Sequence, residues 1–339
     1  MSVISVLIPV YNGQKYIESA LKSLTEQSYK KFLVVICDDG STDKSLELVN
    51  AYKSKLSLII IKNKTNLGIP KTLTSLINAA RNFSDIGVYL AQDDCFPPNY
   101  LQEIAKCFMR NNTVLVYTRL IKIDSDSNRM TSSVNPPNIS IFKKYKTIAL
   151  INGNYVTAPG LAFRLNLFED DMLFETNNLI HDWWQFLIYS TLGNFKICYS
   201  TNAYYRIHAN NLSKSKTITS NDVGIFRNSF YNSRYFKSHL TKYTSLEKYF
   251  ISKILSVNVN NKEYYSSGTA LDKPNQVLNF KTNSIVNPVN EVGRILNIEP
   301  VDFNKESIKT MFVNYLYTLF ATTKMVLALT KKAFSLINK

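Results

Sequence analysis

Two adjacent carboxylates, Asp93 and Asp94, end a run of apolar residues in the stretch "VYLAQDDCFPP". On a surface loop both side chains would be solvated and would need no further explanation. At the carboxyl end of a buried strand in an α/β sheet, they would instead lie where such proteins bind their ligands. Paired carboxylates that face phosphate groups suit a hard cation such as Mg²⁺ or Mn²⁺. Which of the two applies depends on the elements around the pair.

The first hundred residues alternate between strand-like and helical patterns. Runs rich in β-branched residues predict buried strands at residues 3–10, 32–37, 58–61 and 86–91. Apolar residues at helical spacing predict helices at residues 16–26, 45–52 and 71–81. This alternation predicts an α/β fold with a mostly parallel sheet and a ligand crevice at the carboxyl ends of its strands. The turns "PVYNG", "DDGSTD", "NKTNLG" and "AQDD" follow these strands and should meet at that edge.

The pattern is less regular after residue 100. Polar residues at 124–138 predict a long loop, residues 182–192 a helix ended by Gly193, and residues 197–207 a strand. After Asn210 the chain changes to helical segments with polar breaks, which places a domain boundary at residues 211–221.

Positive charge is concentrated in the last third of the chain. The 339 residues include 40 Lys+Arg and 25 Asp+Glu, a net charge of +15. Residues 1–210 carry 22 basic and 17 acidic side chains, and residues 211–339 carry 18 and 8. Such a region suits anionic lipid, nucleic acid or a phosphorylated substrate, and a solvated basic surface is an equal alternative. Residues 308–339 suit either a helix at a membrane interface or a packing helix.

The sequence also predicts where the protein resides. No run of about 18 apolar residues indicates a transmembrane helix, and the N-terminus lacks the basic region and cleavage site of a signal peptide. The four widely spaced cysteines predict reduced thiols of a cytosolic protein.

Four motifs in order resemble one known family. "SVLIPVYNGQKYIESALKSLTEQSY", "ICDDGSTDKS", "NLGIPK" and "QDDCFPP" resemble the GT-A fold, family 2 glycosyltransferases, which are inverting enzymes that use nucleotide sugars. The resemblance spans roughly residues 2–210, and "HDWW" and "YRIHANN" resemble bacterial rhamnosyltransferases of O-antigen, capsule or cell-wall synthesis. It implies a catalytic domain at 1–215, with a nucleotide-binding half at 1–98 and an acceptor half at 99–215. A helical, basic region at 216–339 would follow.

The resemblance assigns donor-nucleotide contacts to the turns at the sheet edge. By position, Asp39 would accept the N3–H of a pyrimidine base, whereas a helix N-cap and a turn would equally use Asp38 and Asp39. Gly68 would allow close approach of the backbone to the base. The full predicted nucleotide set is Pro9, Val10, Tyr11, Asn12, Asp39, Asn66, Gly68, Lys71 and Asp93.

The metal motif departs from the family pattern. Relatives usually carry D-x-D-D, and here the first position is Ala91. The predicted ligands of Mg²⁺ or Mn²⁺ are therefore Asp94 and His208, which follows the last predicted strand. A structural role for His208 stays an alternative.

Inversion requires a general base opposite the leaving group. Asp182 in "HDWW" matches the family's catalytic carboxylate, and it would also suit a helix N-cap. Of the two adjacent tryptophans one is expected in the core and one on an acceptor sugar, and Arg206 is expected on the diphosphate or at the surface. The predicted donor and acceptor sugar contacts are Pro159, Gly160, His181, Trp183, Trp184 and Arg206.

These features favour an inverting transferase that moves a sugar from a UDP or dTDP donor to a glycan or lipid-linked acceptor. The basic C-terminal region would meet lipid carriers at the inner leaflet of the membrane. The alternative is a catalytically silent GT-A module that binds nucleotide sugar or glycan, which Ala91 favours. A nucleic-acid partner is not expected, because the chain has no recognisable module for it.

Overall fold

The computed structural model describes residues 3–109, 112–136, 146–152, 158–169, 172, 181–209, 211 and 220–243. Its strands are β1 Ile4–Val10, β2 Phe32–Asp38, β3 Leu58–Lys62, β4 Ile86–Tyr89, β5 Thr113–Ile123, β6 Arg129–Val134, β7 Ala162–Arg164 and β8 Asn194–Arg206. Its helices are α1 Ile17–Thr25, α2 Ser45–Asn50, α3 Ile69–Ala80, α4 Tyr100–Cys107, α5 Lys146–Asn152, α6 His181–Leu192, α7 Ser220–Asn232 and α8 Arg234–Leu240.

The first half of the sheet is parallel. Its order is β3-β2-β1-β4, with Ile4 of β1 opposite Phe32 of β2 and Ile86 of β4. Strand β1 lies in the middle and is buried along nearly its whole length, which explains its continuous apolar sequence. The amphipathic helix α3 packs against β1 and β2. The four turns therefore end at one edge, as the alternation predicts.

The second half joins this sheet through one antiparallel strand. Strand β7 pairs antiparallel with β4 and with β5, and β8 pairs parallel with β5. Two antiparallel steps restore the original direction, so β5 and β8 run parallel to β4. The carboxyl end of β8, at Arg206, consequently lies at the same edge as the ends of β1 and β4. The prediction of a mostly parallel α/β sheet flanked by helices is confirmed.

The long loop predicted at residues 124–138 is wrong for its central part. Residues 124–128 form a tight turn, closed by the backbone N–H of Asp124, which donates to the carbonyl of Asn128 over 3.0 Å. Strand β6 then returns antiparallel to β5. Nearly all of β6 is exposed, so its sequence shows no apolar face that would have indicated a strand.

The predicted helix at 71–81 begins two residues earlier, at Ile69. Gly68 precedes it with φ 87°, a left-handed conformation that glycine adopts without steric cost, and Pro70 occupies the first turn.

The chain divides into two compact units. The first comprises residues 1–211 and 230–236, and the second comprises 212–229 and 237–339. Among the described residues, no helix is long and apolar enough to cross a membrane. The expectations for the domain boundary near residue 215 and for a membrane-contacting segment at 308–339 lie outside the described residues. Cys37, Cys95, Cys107 and Cys198 are all buried free thiols.

Candidate active site

The turns after β1 and β2 hold each other. The Asn12 side chain accepts the backbone N–H of Thr42 over 2.9 Å, and the Asn12 N–H donates to Ser41 Oγ over 3.0 Å. The N–H of Gly13 donates to Ser45 Oγ over 2.7 Å. Asn12 has φ 48°, a left-handed conformation that asparagine tolerates well. The side chain predicted to hold a base or ribose thus fastens the neighbouring turn.

The other predicted base contacts on the turn after β1 differ from one another in solvent exposure. Val10 is buried and Pro9 is half-buried, whereas the Tyr11 side chain is 45% exposed at the edge. An exposed aromatic ring at this place is available to a flat ligand.

The Asp39 carboxylate closes the turn after β3. Its oxygens accept the backbone N–H groups of Leu67 and Gly68, each over 2.9 Å, and the side-chain amide of Asn63 over 2.8 Å. Asp39 is 4% exposed, while Asn66 of the same turn and Lys71 in the first turn of α3 are exposed. Of the predicted base contacts, the structure thus places Gly68 against the Asp39 carboxylate.

Neither Asp38 nor Asp39 is the N-cap of the following helix, so that alternative is wrong. Helix α2 has Lys44 at its N-cap, with no side-chain hydrogen bond there. Asp38 instead accepts the N–H of Ser41 over 3.2 Å, so the turn alternative holds for this residue. Its other oxygen is buried and has no hydrogen-bond partner within the described residues.

The adjacent carboxylates after β4 have different environments. Asp94 is 2% exposed, and one oxygen accepts the backbone N–H of Arg206 over 2.9 Å. Its burial, together with the neighbouring charge of Asp93, raises the pKa of the Asp94 carboxyl. The Asp93 side chain is 20% exposed, and its Oδ2 lies 2.8 Å from Nε2 of His208. Asp93, rather than Asp94, is the carboxylate beside the predicted histidine ligand.

The loop after β8 presents this histidine. The backbone N–H of His208 donates to Asn211 Oδ1 over 2.6 Å, and the Asn211 amide donates to the carbonyl of Arg206 over 2.9 Å. The ring of Tyr16 lies 4.9 Å from the imidazole. Sequence analysis did not single out Asn211, although "YRIHANN" contains it.

Arg206 is an internal hub, and the prediction of a surface or diphosphate contact is wrong. The residue is 1% exposed. Its Nε donates to the carbonyl of Asp93 over 2.7 Å, and its two terminal nitrogens donate to groups on the turn after β5, on α1 and in the acidic loop, residues 90–99 between β4 and α4. Those acceptors are Asp124 O, Ser125 O, Ser127 Oγ, Ser19 Oγ and Cys95 Sγ. The guanidinium therefore fastens the acidic loop to two other segments.

The start of α6 lies beside the end of β4. The hydroxyl of Tyr89 donates to Gln185 Oε1 over 2.9 Å. Burial raises the pKa of Tyr89, and the negative charge of Asp182 adds to this effect. Asp182 lies in the first turn of α6, where its Oδ1 accepts the N–H of Trp183 over 2.7 Å. The predicted base is thus a partly exposed first-turn carboxylate near the edge that carries the other site residues.

The predicted sugar contacts are mostly used in packing. Trp183 is 5% exposed and donates from its indole to the carbonyl of Leu150 over 2.6 Å. Trp184 is 7% exposed and packs edge-on against Phe230. Neither ring offers an open face for acceptor stacking, which corrects that expectation.

The glycine of "TAPGLAFR" is required by packing. Gly160 has φ +70°, and a Cβ there would lie 2.5 Å from the hydroxyl oxygen of Tyr100 and 2.7 Å from Cβ of Ala203. Its close approach is therefore to the protein interior, while Pro159 beside it is half-buried. The side chain of His181 lies outside the described residues.

Gln92 is a site residue that sequence analysis missed. Its Oε1 accepts the N–H of Tyr11 over 2.9 Å, and its Nε2 donates to the carbonyl of Tyr11 over 3.1 Å. The available signal was its position in the metal motif, between Ala91, which replaces the usual first Asp, and the carboxylate Asp93.

The residues at this edge fit a divalent cation that a ligand helps to hold. In the described part of the chain, no group of three or more His, Cys, Asp or Glu side chains is arranged as a complete metal site. Asp93 and His208 supply one oxygen and one nitrogen donor at contact distance. Mg²⁺ is commonly held by one or two carboxylates together with substrate phosphates, so Asp93 with a substrate diphosphate meets that pattern and His208 adds a nitrogen donor.

The chain is similar to known glycosyltransferases in sequence and in fold. The sequence profile of the family described as "Glycosyl transferase family 2" matches residues 5–171. The uncharacterized glycosyltransferase alr2836 of Nostoc sp. is 30% identical over 232 residues, which cover 64% of this chain and 69% of the relative. The hyaluronan synthase of Pasteurella multocida is 30% identical over 222 residues, 63% of this chain but 21% of that protein. This chain therefore matches about a fifth of the synthase's length.

Among solved structures, S. aureus TarS 1–349 in complex with UDP-GlcNAc is similar, with a TM-score of 0.57 and 18% sequence identity. The alignment covers 87% of this chain and 81% of that one. The fold is that of the GT-A glycosyltransferases. Given the sequence matches as well, the chain belongs to glycosyl transferase family 2.

Proposed function

We propose that this protein is an inverting glycosyltransferase that moves a sugar from a UDP or dTDP donor to a hydroxyl of a bacterial surface glycan. One observation carries the proposal: the sheet edge brings together the Asp39 turn, the Asp93–His208 pair and the start of α6 with Asp182. The names of similar proteins support it, since TarS was solved with UDP-GlcNAc and a hyaluronan synthase builds a glycan. The narrower rhamnosyltransferase resemblance stays a prediction.

The nucleotide would bind between the turn after β1 and the turn after β3. Asp39 already accepts two backbone N–H groups from the turn at Gly68, so a carboxylate oxygen at this point is fixed in place. A pyrimidine N3–H donates a hydrogen bond of the same kind. The exposed ring of Tyr11 and the exposed Lys71 would complete the proposed pocket.

The diphosphate would lie at the Asp93–His208 pair. These two side chains would hold Mg²⁺ or Mn²⁺, which supplies positive charge against the charge that develops on the departing diphosphate. Asp94 stays a proposed further ligand: it is 2% exposed and one oxygen accepts the backbone N–H of Arg206, but the other oxygen is buried without a hydrogen-bond partner among the described residues. Its hydrogen bond from Arg206 also holds the loop that presents Asp93.

Asp182 would act as the general base. Its carboxylate takes the proton of the acceptor hydroxyl while the acceptor oxygen bonds to the anomeric carbon. The bond from that carbon to the phosphate oxygen breaks, and the nucleoside diphosphate leaves on the opposite face. Attack from the face opposite the leaving group inverts the configuration. The hydrogen bond from Trp183 holds one carboxylate oxygen in place.

The catalytic domain at 1–215 and the basic region at 216–339 are proposed parts of the same enzyme. A cytosolic location and contact of the second region with anionic lipid near the acceptor stay predictions. The second candidate function, a silent module that binds nucleotide sugar, is favoured by Ala91 at the first motif position.

A donor panel tests the function. The full chain is incubated with UDP- and dTDP-sugars, Mn²⁺ and candidate acceptors, and release of nucleoside diphosphate is measured. Asp182→Asn should abolish transfer and leave nucleotide binding within about twofold of wild type, because the amide cannot accept the proton. Asp85→Asn is the matched control, an exposed aspartate before the amino end of β4. Full activity of Asp182→Asn would refute its role as the base.

Chelation separates the metal-dependent enzyme from the alternatives. EDTA should lower turnover and Mn²⁺ or Mg²⁺ should restore it, and His208→Ala should raise the Mn²⁺ concentration for half-maximal activity at least tenfold. Turnover indifferent to EDTA would show a metal-independent enzyme. Nucleotide binding without turnover of any donor would favour the silent module.

A further inference from the structure

The side chain of Gln92 crosses from the acidic loop to the turn after β1. Its carboxamide makes both possible hydrogen bonds to the backbone of Tyr11, at 2.9 Å to the N–H and 3.1 Å from the carbonyl. The two residues are 81 positions apart in sequence. A single side chain thus pairs with a backbone unit as a neighbouring strand would.

The Tyr11 backbone depends on this contact. The next three residues are held from the other direction, by hydrogen bonds from their N–H groups to Ser41, Ser45 and Asp43 in the turn after β2. The Tyr11 side chain is 45% exposed, so burial fixes it only in part. Asn12, with φ 48°, departs from extended backbone immediately afterwards. Gln92 therefore fixes the point at which the chain leaves the strand and enters the turn.

Gly13 is the residue that allows this crossing. The three heavy atoms nearest to a Cβ built at Gly13 all belong to Gln92, at 2.3 Å for Oε1, 2.6 Å for Cδ and 3.3 Å for Cγ. Any larger residue at position 13 would displace the carboxamide. Because the displaced group is the end of a flexible side chain, the substitution should leave the rest of the fold intact.

The residue that follows Gln92 in the sequence is Asp93, whose Oδ2 lies 2.8 Å from Nε2 of His208. Gln92 therefore joins the turn at Tyr11 to the loop that carries the Asp93–His208 pair. We infer that Gln92 is a positioning residue for the donor, which fixes the nucleotide turn relative to the diphosphate end of the site. This inference rests on the proposed function and deepens it.

A cycle of two substitutions tests the inference. Gln92→Ala removes both hydrogen bonds, and Gly13→Ala displaces the same carboxamide while Gln92 is present. Each variant should weaken binding of UDP or dTDP, titrated in the presence of Mn²⁺, about 10-fold, since two ordinary hydrogen bonds are lost. The KM for the donor should rise by a similar factor with kcat nearly unchanged. In the double variant, Gly13→Ala should add less than about twofold, because nothing remains to displace.

Gln102→Ala is the matched control. Gln102 is likewise half-buried and accepts a side-chain hydrogen bond, from Ser28 over 3.1 Å, but it lies on α4. It should leave nucleotide affinity unchanged, and melting temperatures of all variants should stay within a few degrees of wild type.

The outcomes separate the two levels of the proposal. If the wild type binds nucleotide and both single variants bind it equally well, the role of Gln92 is overturned and the proposed function stands. Additive losses in the double variant also overturn it, since they show that Gly13 acts through other contacts. Wild type that binds no nucleotide overturns the proposed function and this inference with it.

Discussion

Replacement of Arg206 by methionine should destabilise the protein strongly. The guanidinium is buried and makes six hydrogen bonds to the acidic loop, the turn after β5, α1 and Cys95. It also lies over the ring of Tyr16, with its carbon 4.9 Å from the ring centroid. Methionine keeps most of the apolar stem and leaves the backbone N–H that donates to Asp94.

The expected cost follows from the groups left without partners. Three backbone carbonyls, of Asp93, Asp124 and Ser125, would lose a charged donor inside the protein. Each hydrogen bond to a charged group contributes about 1.5–3 kcal/mol, while the desolvation cost of the buried guanidinium is recovered. We expect a net loss of about 3–5 kcal/mol in the free energy of unfolding. This corresponds to a melting temperature lower by roughly 10 °C.

Urea denaturation and scanning calorimetry at pH 7 measure the effect. Arg206→Lys should lose about half as much, because an ammonium group keeps the charge but reaches fewer of the acceptors. Arg119→Met is the control, an exposed arginine over the ring of Tyr199 at 5.2 Å. It should cost no more than about 1 kcal/mol. An Arg206→Met protein within about 1 kcal/mol of wild type would refute the interpretation of Arg206 as a structural hub.

Two further predictions concern buried positions near the sheet edge. Gly160→Ala should lower the free energy of unfolding by about 2–3 kcal/mol, because φ is +70° and Tyr100 and Ala203 leave no room for a methyl group; normal urea stability with lost turnover would instead support the predicted sugar contact. Burial, with the charges of Asp39 and Asp38, raises the pKa of the Cys37 thiol to about 12. Its proton is lost from the unfolded chain near pH 8.5 and kept in the folded one, so stability should fall as pH rises from there, by about 1.4 kcal/mol per unit. In Cys37→Ala, the free energy of unfolding from denaturation curves between about pH 8.5 and 10 should fall less steeply with pH, by the amount that one proton contributes. An unchanged pH dependence would show that the thiol ionises in the folded state.

Local pattern was sufficient for the parallel half of the fold. Strands β1 and β2 are buried on both faces, so their sequences are almost wholly apolar and polar residues begin where each strand ends. Strand β6 escaped prediction because its pairing with β5 stabilises a strand that buries almost nothing. A pattern of burial cannot report an element that is not buried.

The candidate site, too, was predictable from the sequence only in part. Residue types and order were enough to place Asp39, Asp93, Asp182 and His208 among the site candidates, because carboxylates at strand ends and helix starts are visible as motifs. The different environments of Asp93 and Asp94 were not visible, since adjacent side chains point in different directions and the backbone of β8, 112 residues away, takes one of them.

The sequence by itself determined the parallel half of the sheet, the edge at which its turns meet, and the family of glycosyltransferases to which the motifs belong. Only the tertiary structure decided which polar side chains at that edge remain open to a ligand. Arg206 and Asn12 look like ligand contacts in the sequence, yet each one makes its hydrogen bonds to another segment of the chain. The physical reason is that a buried polar group must be paired, and its partner is supplied by segments whose proximity arises only when the chain has folded.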